Sequence, residues 1–89
     1  MAAVMITYDL HAPGRDYSDL HDAIKALGPW WHYLESTWIV VTTLSPAAVW
    51  SRLESVVDTN DNVLVIDVTG RARAGWLPQA AWDWLGQRL

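Results

Sequence analysis

Few residues in this chain have a type and spacing that could do chemistry, and Asp9 stands first among them. It ends an apolar run, Ala3-Val4-Met5-Ile6-Thr7-Tyr8, just before the loop His11-Ala12-Pro13-Gly14-Arg15. The end of a strand holds a carboxylate rigidly while leaving it open to water and ligands. The competing expectation is that Asp9 caps its own loop, accepting hydrogen bonds from backbone N–H groups around residues 11–14. His11, two positions on, could contact a phosphate or serve a leaving group as general acid. Its plainer reading is a solvated loop imidazole. Arg71 and Arg73, together with Arg15, form the one candidate patch for phosphate contacts. The ordinary reading of the arginine pair, in Gly70-Arg71-Ala72-Arg73-Ala74-Gly75, is a solvated and mobile connector. His21 reads as a surface residue of a first helix. His32 lies on a second strand that is expected to begin near the Asp9 loop, where it either joins that loop or packs between tryptophan rings.

Several chemistries are excluded. With no cysteine, disulfides, thiolate catalysis and sulfur-ligated metals are out. No histidine pair has helical ligand spacing, and no zinc-type cluster, glycine-rich phosphate loop or nucleophile elbow occurs. A chain of this size also has no deep cleft for two opposed glycosidase carboxylates. The net charge of −4 argues against general affinity for polyanions, because such binding depends mainly on Lys and Arg. No apolar run approaches the ~20 residues that cross a bilayer, and no signal peptide is evident, so a cytoplasmic location without membrane contact is expected.

The 89 residues read as a single domain, with a core at 3–68 and a C-terminal extension at 69–89. Residues 3–9 are strand-like. Asp16 is a plausible N-cap for a helix over 17–27, whose apolar side is Tyr17, Leu20, Ile24 and Leu27 and whose terminator is Gly28. Residues 30–35 and 37–43 read as two strands joined by a tight hairpin at Glu35-Ser36. Ser45-Pro46 then starts a second helix, with Ser as N-cap and Pro at the first helical position. Val49, Trp50, Leu53, Val56 and Val57 are its expected buried stripe. Asp58-Thr59-Asn60-Asp61 is a turn cluster, and residues 62–68 make the last strand. Pro78 opens a third helix, with Ala81, Trp82, Leu85 and Leu89 on its apolar side.

The order strand-helix-strand-strand-helix-strand predicts an α+β fold: a ferredoxin-like βαββαβ two-layer sandwich with an added C-terminal helix. Strands one and three are expected at the centre, parallel to each other, with both core helices on one face. Two helices leave the other face open, yet Met5, Trp38, Val40, Val63 and Val65 are too many apolar residues for one side. The third helix or a second copy must cover what remains, and a symmetric dimer through the sheets is the preferred expectation. Seven tryptophans in so short a chain point the same way. Trp50 is assigned to the core, while Trp38 and Trp82 are the expected subunit contacts.

The string Ile6-Thr7-Tyr8-Asp9-Leu10, followed by Pro13-Gly14, Asp16-Tyr17, Leu20, Ala23-Ile24 and Leu27-Gly28, resembles the opening of small SinR-like proteins. These are relatives of the second CRISPR-associated protein, the adaptation subunit. Trp30-Trp31, Leu34, Glu35-Ser36-Thr37-Trp38 and Asn60-Asp61 fit the same pattern, so the resemblance spans roughly residues 3–68. It implies a ferredoxin-like homodimer whose first-strand Asp, here Asp9, binds a divalent metal and supports phosphodiester cleavage in some members, while other members are non-catalytic scaffolds that grip DNA. The chain departs from the adaptation subunit in being acidic, in lacking a cluster of basic residues after strand one, and in having His32 and Tyr33 where Gln and Arg are usual. A free-standing SinR-like role fits these departures better than CRISPR adaptation.

One carboxylate per subunit is too little for Mg or Mn, which favour six oxygen ligands; Asp9 from two copies meeting at a dimer axis is the minimal site. Asp61 and Asn62, at the start of the last strand, are expected beside Asp9. The leading expectation is thus a homodimeric metal-dependent nuclease acting on nucleic acid through Asp9 and His11. The alternatives are a non-catalytic dimeric binding or scaffold module and a toxin-like ribonuclease of the same fold.

Overall fold

The structure is a computed structural model and describes residues 2–11, 14 and 16–89. It is an α+β domain with four strands, β1 (Ala2–Asp9), β2 (Trp30–Leu34), β3 (Thr37–Thr42) and β4 (Asn62–Asp67), and three helices, α1 (Ser18–Lys25), α2 (Pro46–Leu53) and α3 (Gln79–Arg88). Local chemistry sets the helix starts. Ser45 Oγ accepts the Ala48 N–H at 3.1 Å and Pro46 opens α2, as the Ser-Pro pair predicts. At α1 the Asp16 carboxylate accepts the Ser18 N–H at 2.9 Å, which holds its pKa below the ordinary carboxyl value. The helix itself begins one residue later and ends two earlier than its sequence pattern suggests. A single 3₁₀ turn, Glu54–Val56, extends α2.

The strands form one antiparallel sheet in the order β2-β3-β1-β4. The expectation for the centre is half right. β1 and β3 are the inner strands, but they run antiparallel, with Val4 opposite Val40 and Ile6 opposite Trp38. The reason is topological: the tight β2–β3 hairpin reverses the chain after α1 has returned it, so β3 enters against β1. The same geometry corrects the placement of His32. Trp30 pairs with Val40, so β2 begins at the end of the sheet remote from Asp9. What approaches the end of β1 is the β2–β3 hairpin, where the Tyr8 N–H donates to the Ser36 carbonyl at 3.1 Å.

Each face of the sheet has its own core. On one, Val4, Ile6, Tyr8, Trp38 and Val40 pack with Leu20 and Ile24 of α1 and with Val49 and Leu53 of α2. Val63 and Val65 join this side, so four of the five residues expected to divide between faces point towards α1 and α2; only Met5 turns away. On the other face α3 docks onto its own sheet. Ala81 and Leu85 are buried against Ala3, Trp31 and Ile39, and Trp31 Nε1–H donates to the Ala81 carbonyl at 3.2 Å. The third helix, rather than a second copy, therefore covers that part of the sheet.

Two tryptophan assignments change accordingly. Trp38 is 1% exposed and lies inside the core of its own chain, where it is unavailable as a subunit contact. Trp82 is half-buried beside the α3 core. Trp50, assigned to the core from its register, is 38% exposed. A two-turn helix reaches the core only through the Val49–Leu53 pair at i, i+4, and Trp50 lies about 100° further round its axis.

Candidate functional site

Asp9 and Asn62 face each other as paired residues of β1 and β4, as expected from the strand order. They border a shallow, open pocket of about 210 Å³ that also takes in Thr7 and Leu64. The Asp9 side chain is exposed, and among the described residues no donor lies within hydrogen-bond distance of its carboxylate. The odd-numbered residues of β1 share the face that α3 covers. Because α3 packs around Ala3, Trp31 and Ile39, the Asp9 end of that face stays open. Leu64 (54% exposed), opposite Thr7, and Ile66 (44%), opposite Met5, lie on the same face along the β4 edge.

The loop-tying role considered for Asp9 belongs, in the described residues, to Asp61. One Asp61 carboxylate oxygen accepts the His11 N–H at 2.7 Å, the other accepts the Asp58 N–H at 2.8 Å, and the Tyr17 hydroxyl reaches both, at 2.9 and 2.8 Å. This single side chain joins the segment after β1, the residue before α1 and the turn before β4. It thereby fixes the frame in which Asp9 sits. The sequence signal was present, because Asp58-Thr59-Asn60-Asp61 reads as a turn, but its long-range partners do not appear in local spacing. Asp61→Ala is expected to lower stability by about 2–3 kcal/mol, the sum of three partly exposed hydrogen bonds at roughly 1 kcal/mol each. Urea unfolding of the two proteins measures it, and a loss under ~0.5 kcal/mol would show the tie to be dispensable.

His11 is exposed two residues beyond Asp9, held through its backbone while its ring faces solvent. The other histidines join an aromatic cluster on the α1 side of the sheet. The His32 ring stacks on Trp38 with centroids 3.7 Å apart and planes 12° from parallel. His21 is half-buried rather than a surface residue, its Nε2 3.4 Å from the Tyr8 hydroxyl. Trp38 Nε1–H donates to that hydroxyl at 2.9 Å. Burial pushes the Tyr8 phenol above its ordinary pKa, and the Trp38 bond partly offsets the shift. His32 Nε2 lies 3.0 Å from the Glu35 carbonyl, and the cluster lies across the sheet from Asp9.

Arg71 and Arg73, two of the candidate phosphate contacts, are not brought together with the candidate acid. Arg71 follows a turn in which its N–H bonds the Val68 carbonyl, and the Val68 N–H bonds Ala3 at the start of β1. Asp9 is six residues further along that strand, about 20 Å away at the rise of an extended chain. Arg15 lies outside the described residues.

Among the described residues no three His, Asp or Glu side chains converge in a way that could hold a metal ion. Per chain, the pocket offers Mg or Mn the Asp9 carboxylate, the Asn62 amide and the Thr7 hydroxyl, short of the oxygen set those ions favour. The remaining ligands of such an ion would come from water, a substrate phosphate or a second copy. No helix among the described residues is long and apolar enough to cross a membrane. No family model, curated protein or solved structure matches this chain.

Proposed function

We propose that this chain is a homodimeric, metal-dependent nucleic-acid phosphodiesterase of the ferredoxin-like, SinR-like kind, in which Asp9 from two copies supplies the carboxylates for one Mg or Mn ion. The observation that carries the reading is the state of Asp9: exposed, without a hydrogen-bond partner among the described residues, and on the half of the sheet that α3 leaves open. Leu64 and Ile66 give that face apolar surface for a second copy to bury. The split β-α-β order with β1 and β3 innermost suits the ferredoxin-like assignment. In this reading His11, two residues from Asp9 and exposed, is the general acid for the leaving group.

A second reading, a non-catalytic dimeric binding module, is favoured by the distance of Arg71 and Arg73 from Asp9 and by the acidic balance of the chain. One experiment separates the two: labelled RNA and DNA incubated with the protein and Mg or Mn, beside Asp9→Asn, with the mass of both proteins measured by light scattering. The expected result is a dimer in both cases and cleavage reduced by about two orders of magnitude or more in the variant, the scale of losing a charge-stabilising group at a reacting centre. Cleavage of RNA alone selects the toxin-like ribonuclease within this reading. A dimer that cleaves nothing selects the binding module. A monomer, or equal cleavage by Asp9→Asn, overturns the proposal.

A further inference from the structure

The opposite end of the same sheet face holds a second pocket of different character. It measures about 200 Å³ and lies beside the C-terminal end of α3. Its walls are hydrocarbon: Met5 of β1, Ile39 of β3, Val68 after β4, and Leu85 and Leu89 from the far half of α3. The extended segment after Gly70 crosses one side and adds Arg71 and Arg73, and no acidic side chain lines the pocket. That combination is unusual in a chain with 6 Lys and Arg against 10 Asp and Glu.

Two other described cations, Lys25 and Arg88, lie over tryptophan rings. Lys25 Nζ lies 5.1 Å from the centre of the Trp30 ring, and the Arg88 guanidinium lies 4.8 Å from that of Trp84. Arg73 donates to the Arg71 carbonyl at 3.3 Å, a neutral acceptor. The Asp67 carboxylate accepts the Thr69 N–H at 2.8 Å; the Thr69 side chain and that N–H, and to a lesser degree the charge of Arg71, keep its pKa low. An apolar pocket lined in part by two arginines, with no acidic side chain in its walls, complements a ligand with one anionic group and a slender hydrocarbon tail. The volume is below the ~300 Å³ at which ordinary small-molecule sites begin, so the tail must be short and unbranched.

We propose that this pocket binds a medium-chain carboxylate, its tail between Met5, Ile39, Leu85 and Leu89 and its head between Arg71 and Arg73. The site is at the far end of the sheet from Asp9 and does not depend on the phosphodiesterase reading.

The test is a titration of the full chain with octanoate, read by NMR at the Met5 and Ile39 methyl groups, alongside 1-octanol, which lacks the charge, and acetate, which lacks the tail. Octanoate is expected to produce saturable shifts at both methyls in the sub-millimolar range, with octanol about tenfold weaker and acetate silent. The double variant Arg71→Gln, Arg73→Gln should bind octanoate about tenfold less tightly while leaving octanol unchanged, which a merely unfolded protein would not do. Ala72→Trp, a change at an exposed position on the rim, should block both ligands. Absent shifts at Met5 and Ile39, equal binding of octanoate and octanol, or an unaltered octanoate affinity in the double variant each overturn the proposal.

Discussion

Trp38→Ala is expected to destabilise the protein by about 3–5 kcal/mol, the usual cost of emptying a buried tryptophan site. A domain of this length has roughly 4–13 kcal/mol in total, so the variant should be largely unfolded at modest denaturant. Trp38 is the largest fully buried side chain, and three different contacts meet on it. It fills the core between β1, β3 and the two helices, it donates to the Tyr8 hydroxyl, and it forms the floor on which His32 stacks. Trp38→Phe keeps most of the volume and removes the donor, which separates packing from the hydrogen bond. Its expected cost is smaller, about 1–2 kcal/mol. The Tyr8 phenol gives an independent readout. Its folded pKa is raised above 10.0, so its protonated form contributes stability that is fully present below pH 10 and is lost as pH rises through the folded value. Because the Trp38 bond lowers that pKa, the Phe variant should move the Tyr8 titration further up; an unchanged alkaline titration would show that the bond is not made in solution.

Gly28→Ala should cost about 2–4 kcal/mol although it adds a single methyl group. Gly28 has a φ of +152°, in the region that L-residues avoid, and an added Cβ would run into the Val41 carbonyl oxygen. Beside it the Val41 N–H donates to the Pro29 carbonyl at 2.9 Å, so the chain leaving α1 is pinned against β3 with no slack. Relief would require shifting the start of β2, and with it Trp31 beneath α3. Gly86→Ala is the control. That glycine lies inside α3 with open space around it, and alanine there should stabilise by up to about 1 kcal/mol. Thermal unfolding of the two variants should move in opposite directions; a Gly28→Ala protein as stable as wild type would mean that the close approach to Val41 is not maintained.

Much of the local structure was legible because its causes are local. The Ser45-Pro46 start, the Glu35-Ser36 hairpin, the third helix after Pro78 and the pairing of Asp9 with the start of β4 all follow from capping, turn chemistry and strand order. The readings that changed concern where a side chain points once elements pack. Trp50 has a helical register compatible with burial, but a helix of two turns buries only a narrow stripe. Trp38 looked like a surface anchor because aromatic residues are common at interfaces, yet its strand is central and its face is covered by α1 and α2. Asp61 looked like one more turn residue, and only the approach of the β1 loop and Tyr17 makes it the tie between them.

By itself the chain determined its elements, their order, and the excess of apolar surface beyond what two helices can hide, since periodicity, caps and composition act over a few residues. Tertiary structure decided which acid is engaged and which is left open, that α3 covers half of one face, and that Arg71 and Arg73 lie near the start of β1 while Asp9 lies at its end. Those outcomes depend on contacts between residues as many as 66 positions apart, such as the Ala3 N–H donating to Thr69 Oγ1, and such distances are set by packing rather than by spacing along the chain.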